Sequence, residues 1–325
     1  MSRHTICDTL RIILCFGLLC SSPLLLANHP PMDADAPSLS YLTQLQAPRD
    51  TISNQLNNFA NWLDSFFENE RFDEESRGNH LRLRTSSVWS QKSKPQYDAN
   101  LRLKLELPNT KKRLRFVIES NSEEETEDDT SRGERTLTEA VASQEQSVTL
   151  QYIPKATSKR NVNFSSGVKL RSAPDLFSRL RLRQTTFLEE WTLRATQTFL
   201  WFESGGFSSK TRVDFEHLFN KHYFLRISSQ AIWRETTQLF DLSQSVSLFH
   251  YLNKHNVISY GVSLYGTNEP AVHATDYVVS LNWRRQIHQN WVFLDIRPQL
   301  RFPKEEKFHA TASLAVQLEI IFSDT

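Results

Sequence analysis

Asn100-Leu101-Arg102-Leu103-Lys104-Leu105-Glu106-Leu107 places a leucine at every odd position and a polar residue at every even one. Successive side chains of an extended strand point to opposite faces. This octapeptide therefore builds a strand with one apolar wall and one polar, mostly cationic wall. A helix would scatter the same leucines around its axis. The two-residue period recurs in Leu81 and Leu83 between Arg82 and Arg84, and in Leu114, Phe116 and Ile118 around Arg113 and Arg115. It returns in Leu180 and Leu182 among Arg179, Arg181 and Arg183, in Val213 and Phe215 beside Arg212, and in Leu225 and Ile227 beside Arg226. The last run carries Ala310, Ala312, Leu314, Val316, Leu318, Ile320 and Phe322 on one face and Thr311, Ser313, Gln317 and Glu319 on the other.

Turn residues separate these runs: Pro108-Asn109, Ala173-Pro174-Asp175, Gly205-Gly206, Asn220-Lys221, Asn253-Lys254, Asn268-Glu269-Pro270, Gln289-Asn290 and Pro303-Lys304. The punctuation predicts strands starting near 80, 97, 112, 146, 161, 176, 191, 207, 223, 239, 256, 273, 290 and 308, each about 10 to 14 residues long. That is about 14 strands, in a range of 12 to 16. Trp89, Tyr97, Trp191, Trp201, Phe207, Tyr223, Trp233, Trp283, Trp291 and Phe322 fall towards the expected strand ends, where aromatic belts meet a bilayer interface. A soluble sandwich could use the same alternation with its leucines in a core. The length and number of the strands favour closure, because an open sheet of this size leaves reactive edges.

Composition alone points the other way. The 325-residue chain is 39% hydrophobic with mean hydropathy −0.48, and no run after the N-terminus supplies a membrane-spanning helix. Barrel strands evade that test, since only alternate residues face lipid. At the N-terminus, Arg3 and Arg11 precede the apolar run Ile12–Leu19, then Ser21, Ser22 and Leu24-Leu25-Leu26-Ala27. This order predicts a secretory signal peptide over 1–27, cleaved near Ala27. Cys7, Cys15 and Cys20 all lie within it. The mature chain then has no thiol for a disulfide, a nucleophile or a metal site. Removing Arg3, Arg11 and Asp8 leaves 36 basic and 36 acidic residues, a neutral balance that argues against nucleic acid as a partner.

Residues 28–78 read as a periplasmic leader followed by an amphipathic acidic helix over about Asp50–Glu70. Ile52, Leu56, Phe59, Leu63, Phe66 and Phe67 share one face, with Asp64, Glu68, Glu70, Asp73, Glu74 and Glu75 on the other face and at the exit. Residues 79–325 form the barrel. The signal peptide, paired strands, short turns and final amphipathic strand ending at Phe322 resemble Gram-negative outer-membrane β-barrel proteins as a class. That resemblance implies a closed antiparallel transmembrane β-barrel in the cell outer membrane. It implies partners in outer-membrane lipid, lipopolysaccharide and the barrel assembly machinery, which reads a terminal aromatic residue. Here Ser323-Asp324-Thr325 follow Phe322, a departure from that pattern.

If the leucine faces meet lipid, the other faces line a lumen. The expected inward cations are Arg82, Arg84, Arg102, Lys104, Arg113, Arg115, Lys169, Arg171, Arg179, Arg181, Arg183, Arg194, Lys210, Arg212, Arg226, Arg234, Arg284, Arg297 and Arg301. The expected inward anions are Glu106, Glu119, Asp214, Glu216, Asp295 and Glu319. Rings of arginine and lysine favour anions, so the arginines are candidate anion-binding residues. The bland alternative is a polar filling paired with carboxylates and water. The balancing acid sits in the leader helix and in Glu123-Glu124-Glu125-Thr126-Glu127-Asp128-Asp129, a charge run more in keeping with a solvated loop than a calcium site. The acidic helix either plugs the cationic lumen or lies at the periplasmic rim.

No G-x-S-x-G or H-E-x-x-H motif accompanies the histidines. No cofactor, metal or catalytic residue is assigned. The expected activity is a channel or transporter for anionic or polar solutes. A lipid-modifying barrel enzyme (an acyl hydrolase) and a non-conducting structural or assembly-partner barrel are the alternatives.

Overall fold

The computed structural model describes residues 66, 78–107, 113–120, 146–154, 157, 159–170, 173–288 and 291–323. Fourteen strands follow in order: β1 (His80–Ser90), β2 (Ser93–Glu106), β3 (Leu114–Ser120), β4 (Gln146–Tyr152), β5 (Arg160–Leu170), β6 (Asp175–Leu188) and β7 (Trp191–Phe202). Then come β8 (Gly206–Leu218), β9 (Tyr223–Arg234), β10 (Phe240–Asn253), β11 (Asn256–Thr267), β12 (His273–His288), β13 (Val292–Pro303) and β14 (Thr311–Ser323). Each pairs antiparallel with its sequence neighbours, and β14 returns to β1, so the sheet is a closed barrel without a free edge. The expected helix over 50–70 lies outside the described residues except for Phe66, which is helical. The acidic run at 123–129 also lies outside them.

Closure fixes which wall each side chain faces. Arg82 opposes Arg102 and Ile321, Arg102 opposes Glu119, and Arg84 opposes Glu319, so the polar sets of neighbouring strands fall on one side. That side is the interior: Arg82 is 2% exposed and Glu216 and Glu319 are fully buried, whereas Leu101, Leu150, Phe164, Val262 and Leu318 stand exposed on the outer wall. A soluble barrel or sandwich has the opposite polarity. An apolar exterior around a charged interior suits a wall immersed in hydrocarbon, where closure also satisfies every backbone group within the sheet.

Aromatic groups mark both rims of the outer wall. At the end where β1 begins and β14 ends, Trp191 stacks on His217 with ring centroids 4.8 Å apart, Tyr223 on His250 at 4.5 Å, and Trp291 on Phe322 at 5.9 Å. At the opposite end Phe199 packs on Phe207 at 6.0 Å and Tyr277 on Phe308 at 5.4 Å.

Two expectations change. Strand β2 begins at Ser93, not near 97, so Tyr97 lies within it and not at its end. The pairing of β1 with β2 shifts between Val88 and Ser90, opposite Pro95. This irregularity lets a residue without an N–H sit inside a strand. Strands β3 and β4 have seven residues each, shorter than the expected ten to fourteen.

Candidate functional site

The lumen is organised around carboxylates that gather arginines from neighbouring strands. Glu319 on β14 accepts from Arg84 Nε at 2.7 Å, lies 3.3 Å from Arg82 Nε, and also pairs with Arg284. Arg284 reaches Asp295 at 2.6 Å with its other terminal nitrogen. This group ties β12, β13, β14 and β1 across the seam. A second group centres on Glu216 of β8, which lies 2.5 Å from Arg194 and 2.9 Å from Arg226. Beside it, Asp214 accepts from Arg212 Nε at 2.9 Å and from the Ser228 hydroxyl at 2.5 Å. Smaller pairs join Arg102 to Glu119 at 3.3 Å, Arg115 to Glu106 at 3.4 Å, and Arg301 to Asp276 at 2.6 Å. Arg297 donates to the Gln317 amide oxygen at 2.7 Å.

Strand β6 differs. Arg179, Arg181 and Arg183 follow one another on its lumen face, one every second residue, which spaces them by about 7 Å. Their partners across β5 are Ser165, Asn163 and Asn161. Arg179 Nε donates to Ser165 Oγ at 2.9 Å, and Arg181 Nε lies 3.4 Å from Thr198 Oγ1. The amides of Asn161 and Asn163 are buried, with no hydrogen bond of their own among the described residues. Along the described lumen faces of β5, β6 and β7 the cations are Lys169, the three arginines and Arg194, and the carboxylate is Asp175. Asp175 receives the backbone N–H of Ser204 at 3.0 Å and its hydroxyl at 2.5 Å, so it anchors a turn. This sector of the wall is an arginine ladder faced by neutral amides and hydroxyls.

The register places every described strand residue of the anticipated inward cations and anions on the lumen side. Arg113 precedes β3 and is exposed, and Arg171 lies outside the described residues. Four lumen carboxylates escaped the sequence reading: Asp98, Asp175, Asp241 and Asp276. Asp241 pairs with Arg234. Counting back in steps of two from Arg102 finds Asp98, and from Arg284 finds Asp276. Asp241 shares parity with Ser243, Ser245 and Ser247, opposite Phe240, Leu242, Val246 and Leu248, so the same count finds it.

At the end of the lumen where β1 begins and β14 ends the wall turns apolar. Phe224, Phe249, Val257 and Phe293 point inward and are buried, with Leu218, Tyr251 and Ile321 against them. Phe66 sits in this cluster, 6% exposed, its ring edge-on to Phe293 at 5.7 Å. Arg226 lies over Phe224 at 5.5 Å and Phe249 at 5.7 Å, and Arg284 over Phe293 at 4.5 Å. The apolar ring and the two carboxylate groups are thus joined through stacked guanidiniums.

For a hydrolase, a histidine must reach a nucleophile and a carboxylate or amide. His217, His222, His273 and His309 each bring Nδ1 to a backbone carbonyl, at 2.8, 3.1, 2.9 and 2.7 Å. His255 brings Nδ1 to Gln286 at 2.8 Å. These are bonds that fix turns and rims.

No family model matches the chain, and no curated protein matches it. Among solved structures, OmpT, an outer membrane protein of Vibrio cholerae, is similar at 10% identity with a TM-score of 0.46, over 76% of this chain and 99% of that one. The anion-selective porin from Comamonas acidovorans is similar at 8% identity and a TM-score of 0.43, over 75% and 98%. The KdgM porin is similar at 6% identity and a TM-score of 0.37, over 74% and 98%.

Proposed function

We propose that this chain is an outer-membrane barrel that passes anionic or polar solutes through its cationic lumen. The observation that carries the reading is the ladder Arg179–Arg181–Arg183, faced by Ser165, Asn163, Asn161 and Thr198. Guanidiniums spaced along a strand and interleaved with neutral polar groups attract an anion and let it move from one to the next. Elsewhere in the lumen the arginines stand beside carboxylates, several around Glu319 and Glu216 and one each at Glu119, Glu106, Asp214 and Asp276, whereas β6 sets its guanidiniums at a regular spacing beside hydroxyls and amides.

A second reading, a non-conducting structural barrel, is favoured by one specific feature: Phe66 packs into the apolar ring at the mouth where β1 begins and β14 ends. Planar-bilayer recording from the refolded chain separates the two. Stable openings with an anion/cation permeability ratio above one support the channel. That ratio falls towards one when the three arginines become serine. Silence of the native chain and of F66A overturns the channel reading and leaves the structural one.

A further inference from the structure

The outer wall is not uniform. Between the two aromatic rims, β11 to β14 present Val262, Leu264, Val279, Leu300, Leu314 and Leu318. At the same level β7 to β10 present Gln197, Thr211, Ser229 and Gln244, with Ala195 and Ala231 among them, and Ser209 borders them in the rim row between Phe199 and Trp233. Register makes this one patch. Gln197 opposes Thr211 and Thr211 opposes Ala231; Ala195 opposes Val213, Val213 opposes Ser229 and Ser229 opposes Gln244. The polar row ends where Gln244 meets Leu264 on β11. On β9, Ser229 lies between Tyr223 and Trp233, well inside the span the rims define.

These side chains bond to one another. Gln197 Nε2 donates to Ser209 Oγ at 2.9 Å, Thr211 Oγ1 donates to Gln197 Oε1 at 2.7 Å, and Ser229 Oγ donates to Gln244 Oε1 at 2.5 Å. The Gln244 carboxamide nitrogen, on an exposed side chain, makes no hydrogen bond among the described residues. Two amide N–H donors facing hydrocarbon are unfavourable, and lipid offers them nothing at that depth. Small and hydroxylated side chains at a membrane-embedded surface also permit close backbone approach and hydrogen bonds to another protein wall. On the loop-side border, Phe199, Phe207 and Trp233 form a continuous aromatic row, with Phe207 6.3 Å from Trp233. Aromatic anchors beside a small polar centre make a surface suited to protein contact.

We propose that the β7–β10 outer wall is an interface with a second copy of this chain, patch against patch. A carboxamide is both donor and acceptor, so Gln244 and Gln197 match their own counterparts across a twofold axis, which is what an isologous contact requires. The proposal rests on the membrane-barrel reading but not on conduction.

The test uses the full chain refolded into phosphatidylcholine vesicles, with insertion checked by flotation and by the heat-modifiable shift of folded barrels on gels. S229C and L318C are compared with the parent chain as a blank, using a short bis-maleimide cross-linker. The interface predicts covalent dimer from S229C, above the parent and above L318C. Equal yields from both sites, or none from S229C in inserted protein, overturn it. Failure to float overturns the membrane reading instead. In Q197L/Q244L the dimer fraction, counted by single-molecule photobleaching, falls about tenfold, while resistance to urea is unchanged or higher. An undiminished dimer fraction, or a wild-type chain already monomeric, overturns the proposal.

Discussion

Glu319, on the last strand, accepts a hydrogen bond from Arg84, on the first, at 2.7 Å, and the two are direct cross-strand partners. The pair is a side-chain clasp at the place where the barrel closes. Glu319 is fully buried and serves Arg82 and Arg284 as well. Replacing it with glutamine keeps the shape but removes the charge that three guanidiniums share. E319Q is expected to lose about 3 kcal/mol of stability, as for a buried pair deprived of one partner. Urea unfolding followed by tryptophan fluorescence checks this, and a midpoint equal to wild type would refute it.

The arginine ladder gives a graded expectation. Each single change, R179S, R181S or R183S, lowers the anion/cation permeability ratio, and the triple variant lowers it further than any single one. R301S combined with D276N, which removes a pair 2.6 Å apart and no net charge, changes the ratio less. Reversal potentials under a salt gradient measure all five proteins. An order with R301S/D276N below R181S would argue against the ladder as the selective element.

Phe66 and Phe293 meet edge to face at 5.7 Å. A double-mutant cycle between F66A and F293A should return a coupling of about 1 kcal/mol, the usual worth of such an aromatic pair. Strict additivity would mean that Phe66 does not occupy this ring in the membrane.

Gly167 lies beneath Phe177. A Cβ there would come within 2.4 Å of the Val148 carbonyl oxygen and 2.7 Å of Phe177 Cζ. G167A should cost about 2 kcal/mol through displaced backbone. Adding F177A should recover only part of it, because the carbonyl stays in place. Full recovery in the double variant would show that ring crowding alone was at issue.

Outside the strands, Glu306 in the turn Lys304–Glu306 bonds Lys92 of the β1–β2 turn and receives the Thr311 hydroxyl at 3.0 Å. The bond from Lys92, followed by that from Thr311, holds its carboxyl below the usual carboxylate range. A depressed folded value means the tie is fully present above the ordinary glutamate value and is lost as pH falls through the depressed one. Protection of the amides in the two turns, measured against the intrinsic exchange rate at each pH, should therefore fall on acidification through that range, and E306Q should show the lower protection already at neutral pH. Protection independent of pH in the native chain would contradict this.

Much of the barrel was legible because alternation is a local property. Leu101 to Leu107 show it without reference to any other strand, and the same parity put the anticipated strand arginines on the lumen side, while Arg160 and Arg285 face outward. Asp98 was missed because Pro95 reads as a break, when in fact it coincides with a register shift. Asp276 was missed because Val278 and Val279 are both apolar, and this blurs the count. The inward Phe224 was hidden likewise, since Leu225 beside it is equally apolar and the pair gives no sign of which faces lipid.

By itself the sequence determined the strands, their approximate number and the two chemistries of their faces. A strand's period of two is written in its own residues, and a slip of one would turn its lumen arginines to lipid. Only the tertiary structure decided which carboxylate holds which arginine, that Phe66 enters an aromatic ring built from four strands, and that the outward polar residues of β7 to β10 converge on one patch. Those relationships join residues tens to hundreds of positions apart. They depend on register across the sheet and on closure of β14 against β1, and no local pattern encodes either.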